Sequence, residues 1–143
     1  MADRAIIVVR SPLDCIASLF NMIGTLSHSE SLSDAVLERA KETKLWQEFV
    51  EGEIKIWNDY HTYWLQRATT LPTHFISYEQ LLLDPQTALT QLFQFLLVSP
   101  TLENLPIANL IAQSTPKQLY KPRKGTINSN STHYTQEMRE SLI

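Results

Sequence analysis

A single cysteine, Cys15, excludes an internal disulfide framework. No apolar run is long enough to cross a membrane, and no signal-peptide pattern opens the chain. The four histidines stand at 28, 61, 74 and 133, and none has a partner at metal-ligand spacing. A hydrolase triad and a glycine-rich Walker loop are also missing. Positive charge is not in excess: the formal net charge is −3 and the pI is near 5.8. That balance argues against a bulk nucleic-acid or membrane binder. What is present is 143 residues, one domain at most, with 43% apolar side chains. Such a chain can build a core and does not read as disordered.

The organising stretch is Ala5 to Ser18, AIIVVRSPLDCIAS. Ala5 to Val9 is an uninterrupted apolar run, which predicts a strand covered on both faces. Arg10 follows at its carboxyl end. Ser11 then stands as a helix cap, with Pro12 at the first helical position and Asp14 at the third. Leu13, Ile16 or Ala17, and Phe20 recur at helical spacing. Open α/β sheets take their ligands beyond the carboxyl ends of their strands. An arginine there, beside a helix start with unpaired N–H groups, makes an anion site. Ser18 adds a hydroxyl if the ligand lies along its face of the helix. Cys15, inside this helix, reads as a small core residue.

Residues 21–33 are polar with one glycine and read as a loop or a loosened helix end. Ser33 can cap the next helix. Residues 30–60 hold eight acidic and four basic side chains. Trp46, Val50, Trp57, His61 and Trp64 recur every three or four residues, giving a tryptophan-rich helical region over 34–66. It is one long amphipathic helix or two abutting ones. The tryptophans read as core packing against the sheet, against the alternative of an aromatic ligand platform, with His61 on their face. Thr73 to Ser77 reads as a second strand. Ser77 with Gln80, and Asp84 with Pro85, then mark two helix starts. Leu89, Leu92, Phe93 and Leu96 form an apolar stripe that ends before Pro100. This order predicts Ala5–Val9 and Thr73–Ser77 as parallel neighbours in an α/β core with an exposed apolar edge.

Between Asn104 and Gln136 there are four basic residues and no acidic ones. Lys117, Lys121, Arg123 and Lys124 gather beside Pro122 and Gly125. Gly125 lets backbone N–H groups approach a ligand closely. A basic triplet beside a glycine suggests a phosphate clamp, against the alternative of a solvated charge run. Residues 128–135 read as a polar loop, the end of a basic loop over 114–135.

These motifs resemble the sulfotransferase family, enzymes that use 3'-phosphoadenylyl sulfate. The family's arginine-x-proline-x-aspartate-x-x-x-serine element is matched by Arg10, Pro12, Asp14 and Ser18. Its tyrosine-glutamate segment, followed by aspartate-proline and an amphipathic helix, resembles Tyr78 to Leu96. Its arginine-lysine-glycine loop is matched by Arg123, Lys124 and Gly125. The tryptophan-rich helix resembles the tyrosylprotein- and carbohydrate-type branches. The resemblance implies that Arg10, Ser18 and the Arg123–Gly125 loop hold the 3'-phosphate. It puts Tyr78 near the adenine and Thr115 on the adenine side. Ser11 and Gln80 replace common acidic residues, and Pro116 has no aromatic ring to stack on the base as phenylalanine does.

The implied fold is a partial three-layer α/β/α sandwich with a parallel sheet, of the P-loop-NTPase-like sulfotransferase type. The family's first strand, its lysine-bearing phosphosulfate loop and its usual catalytic base would lie upstream of Met1. The 143 residues therefore read as the 3'-phosphate half of the domain, expected to transfer sulfate poorly in isolation. The implied cofactor is 3'-phosphoadenylyl sulfate (PAPS), with 3',5'-adenosine bisphosphate (PAP) as its product. The acceptor is a hydroxyl or amine of a carbohydrate, a protein tyrosine or a small molecule, with no nucleic acid and no membrane segment involved. A non-catalytic nucleotide-binding module and a structural α/β fragment stand as alternatives.

Overall fold

The structure is a computed structural model, which describes residues 3–27, 29–114 and 127–140. They divide into two compact units. Residues 3–10 and 64–114 make the first. Residues 11–27, 29–63 and 127–140 make the second. No described helix is long and apolar enough to cross a membrane.

The first unit holds a two-stranded parallel sheet, β1 (Ala5–Val9) and β2 (Thr73–Ser77). Ala5 pairs with Thr73 and Val9 with Ser77. This is the pairing expected from the order of strands and helices. Coverage differs from expectation. Ile7 and Ile76 are buried, yet Ile6 is 39% and Val8 61% exposed. An apolar run does not say what will cover it. Here α4 (Tyr78–Leu83) and α5 (Pro85–Leu97) pack on β2. Phe95 of α5 stacks on His74 at 5.4 Å. Arg4 crosses the same ring and donates to the Phe95 carbonyl at 3.1 Å. Those contacts serve β2 and leave Ile6 and Val8 as an exposed apolar patch on β1. Of the stripe expected on α5, Leu89, Leu92 and Phe93 are half-buried and Leu96 is exposed.

Both helix starts after β2 form as their residues dictate. The Ser77 hydroxyl accepts the Gln80 N–H at 3.0 Å, and Gln80 Oε1 accepts the Ser77 N–H at 3.1 Å. Two otherwise orphan donors are thereby satisfied. Asp84 Oδ1 accepts the Thr87 N–H at 3.1 Å, with Pro85 at the first helical position. The Thr87 contacts hold the Asp84 carboxyl below its ordinary pKa. α6 (Pro106–Ala112) is tied to α5 by the Gln86 amide, which donates to the Ala112 carbonyl at 2.8 Å. Ser77→Ala is expected to lower stability by about 1 kcal/mol. A urea-denaturation midpoint that does not move would show that this box contributes nothing.

The second unit is helical. α1 (Pro12–Thr25) and α2 (Asp34–Glu42) are joined by α3 (Leu45–Arg67), whose residues 45–63 belong here. The tryptophan-rich region is thus two abutting helices, broken where Lys44 takes φ 61°. Among the described residues the unit also holds two short helices, at Ser131–His133 (3-10) and at Gln136–Glu140 (α7). The core gathers Ile16, Phe20, Trp46, Val50, Tyr134 and Met138 with their neighbours. Phe20 meets the Trp46 and Phe49 rings edge-on at 5.0 and 5.1 Å. Trp46 is a core residue as expected, but the core it joins is helical rather than a sheet face.

Helix α1 also runs further than its polar letters suggest, so residues 21–25 are not loop. The Asn21 amide donates to the Ala17 carbonyl at 3.0 Å, and the Thr25 hydroxyl to the Asn21 carbonyl at 2.7 Å. Each bonds back one turn without displacing the ladder. The helix stops where Leu26 takes φ 53°.

Candidate functional site

Arg10 comes directly after β1, and Tyr78 directly after β2. Because Val9 and Ser77 are register partners, the chain delivers Arg10 and Tyr78 side by side at the carboxyl ends of both strands. The Arg10 guanidinium carbon lies 4.6 Å from the centroid of the Tyr78 ring. At that distance the cation is attracted to the ring face, which restrains the guanidinium. Among the described residues Arg10 makes no ion pair, and its Nε is shielded from solvent without a hydrogen-bond partner. A buried donor left in that state is costly unless something else accepts from it. A planar, oriented guanidinium with unspent N–H groups suits a phosphate or carboxylate approached through two oxygens.

A second arrangement lies in the helical unit. Ser11 occupies the N-cap position of α1, but its side chain makes no capping bond. Its carbonyl accepts the N–H groups of Asp14 and Cys15 at 3.1 and 3.0 Å. Asp14 is 2% exposed and reaches far along the chain. Its Oδ2 accepts the Asn128 N–H at 2.9 Å. Its Oδ1 accepts the Asn130 side-chain amide at 2.9 Å and the Asn130 N–H at 3.4 Å. Asn128 sits at φ 61°, a left-handed conformation that asparagine tolerates. Nearby, the Tyr134 hydroxyl donates to the Leu13 carbonyl at 2.7 Å, and Trp46 Nε1 donates to the His133 carbonyl at 2.9 Å. Burial pushes the Tyr134 phenol well above its ordinary pKa, so it keeps the proton this bond needs. Burial, then the nearby Lys41 charge, lowers the pKa of His133. Residues 128–134 are polar in sequence but fastened to the first turn of α1.

Of the residues expected at the site, the structure describes three: Arg10, Tyr78 and Ser18. Arg10 and Tyr78 meet. Ser18 is half-buried on α1 in the helical unit. Thr115, Arg123, Lys124 and Gly125 lie outside the described residues, as do Pro116, Lys117 and Lys121. Cys15 is half-buried rather than a core residue. His61 does lie on the tryptophan face, stacked on Trp57 at 3.7 Å with Nδ1 2.7 Å from the Trp57 carbonyl. The pairing of Asp14 with Asn128 and Asn130 had no local signal, because 114 and 116 residues separate the partners.

No curated protein and no solved structure matches the chain. A family model does: the sulfotransferase domain model matches residues 3–142, essentially the whole length. On that match, over an α/β unit with a parallel sheet, the chain belongs to the sulfotransferase domain family.

Proposed function

We propose that this chain supplies the 3'-phosphate side of a 3'-phosphoadenylyl sulfate site in a sulfotransferase that acts on a hydroxyl or amine. The observation that carries this reading is Arg10, without an ion pair among the described residues and placed over the Tyr78 ring at the carboxyl end of β1. In this reading its two outward N–H groups grip two oxygens of the 3'-phosphate. Tyr78 orients that guanidinium and lies beside the adenine. Ser18, Thr115, Arg123, Lys124 and Gly125 are assigned to the same nucleotide by their match to the family pattern. The three-layer, P-loop-NTPase-like architecture belongs to the same reading, supported by the parallel sheet. When bound, the donor supplies the sulfuryl group that passes to the acceptor. The acceptor class is a carbohydrate, a protein tyrosine or a small molecule.

Calorimetric titration with 3',5'-adenosine bisphosphate and with AMP tests the reading. The two ligands differ by the 3'-phosphate alone. One additional charge-assisted contact is expected to favour the bisphosphate by about tenfold or more. Equal affinities for a folded sample would overturn the assignment.

A further inference from the structure

Within the helical unit, α1, α2 and the start of α3 line an open-mouthed cavity of about 440 Å³. That volume falls within the roughly 300–1,000 Å³ typical of small-molecule sites. Its walls are apolar. Phe20 and Phe49 form the inner end, and Ile23, Val36 and Leu45 stand at 53%, 48% and 54% exposure around the opening. Three half-exposed aliphatic side chains from three elements, converging on one hollow, are not scattered surface residues.

The hollow is also preorganised. Leu32 N–H donates to Asn21 Oδ1 at 2.8 Å, which ties the loop after α1 back to that helix. The Leu32 side chain then sits over Gly24. A Cβ at Gly24 would come within 2.9 Å of both Leu32 methyl carbons, so a larger residue there would push the Leu32 side chain aside. Two polar side chains line the cavity. The Thr43 hydroxyl spends its proton inside α2, within reach of the Arg39 carbonyl at 2.9 Å and the Ala40 carbonyl at 3.3 Å. Arg39 is exposed and makes no ion pair or side-chain hydrogen bond among the described residues. Neighbouring Glu38 is instead engaged by Lys41 at 2.7 Å.

We propose that this cavity binds a small amphiphile: an apolar, ring-bearing or alkyl body in the hollow and one anionic group on Arg39. The inference goes beyond the nucleotide reading, because none of these residues belongs to it. The apolar lining supplies the contact area, and the single uncommitted guanidinium selects the charge.

The test uses 8-anilinonaphthalene-1-sulfonate as the anionic probe and N-phenyl-1-naphthylamine as its uncharged counterpart, on the full chain. The sulfonate is expected to bind saturably at a single site and to shift the methyl NMR signals of Ile23 and Leu45. Arg39→Gln should weaken it by about fivefold or more and leave the uncharged probe unchanged. Val36→Trp, at a half-exposed position and with a thermal melt to show the variant folded, should fill the hollow and remove both. Absence of saturable binding to the unsubstituted chain, methyl shifts elsewhere, or binding indifferent to Val36→Trp would overturn the site. Equal response of the two probes to Arg39→Gln would overturn the anionic ligand class.

Discussion

Arg10→Ala is expected to reduce affinity for 3',5'-adenosine bisphosphate by about 10- to 150-fold, the equivalent of roughly 1.5–3 kcal/mol for a charge-assisted hydrogen-bonded contact. AMP, without the 3'-phosphate, should lose far less. The substitution should leave stability nearly unchanged. Arg10 makes no ion pair among the described residues, and the alanine removes a shielded Nε that has no partner. What goes with it is one stack on Tyr78. Arg10→Lys should recover only part of the affinity, because an ammonium is a point charge and cannot present two parallel N–H groups from a plane. Tyr78→Leu should fall between wild type and Arg10→Ala: the charge remains but its orientation does not. Calorimetry reads all four proteins, with a thermal melt to show that each is folded. If Arg10→Ala keeps the full preference for bisphosphate over AMP, the anion does not bind at this strand end.

Asp14→Ala is expected to destabilise the chain by about 2–4 kcal/mol. The carboxylate is buried and accepts from two backbone N–H groups and one side-chain amide. Removing it strands the Asn128 and Asn130 donors, each costing roughly 1–3 kcal/mol if they stay buried. Part of that is offset by no longer burying a charge. Asp14 also lies in the first turn of α1, where a negative charge is favoured by the helix dipole. Asp14→Asn should rescue little, since an amide presents two donors where the surroundings already donate. Urea denaturation gives the free energies. Amide exchange should show lost protection at Asn128 and Asn130 while the Ser77–Gln80 cap is unaffected. A change below about 0.5 kcal/mol would place Asp14 among ordinary surface residues.

Much of the local structure was legible because its causes are local. The Ser77–Gln80 box and the Asp84–Pro85 start depend on groups three residues apart or closer, so residue type and spacing suffice to specify them. The same holds for the abutting helices around Trp46 and for the stacking of His61 on Trp57, one helical turn away. The parallel pairing of β1 and β2 comes from the order of strands and helices, and Arg10 at a strand end from the apolar run before it. The motif spacing from Arg10 to Gly125 was sufficient to indicate the family.

Tertiary structure decided what depends on partners far along the chain. Ser11 has the residue type of a cap yet makes no capping bond, and Asp14 turns to Asn128 and Asn130 instead. Residues 128–134 look like solvent-facing loop until the buried acceptors on α1 are in view. Val8 belongs to an apolar run but is 61% exposed, because the helices after β2 cover that strand and not the patch on β1. Tyr78 becomes the platform under Arg10 only when parallel pairing brings two strand ends together across 68 positions of sequence. Composition and periodicity describe which residues want partners; chain topology determines which partners they receive.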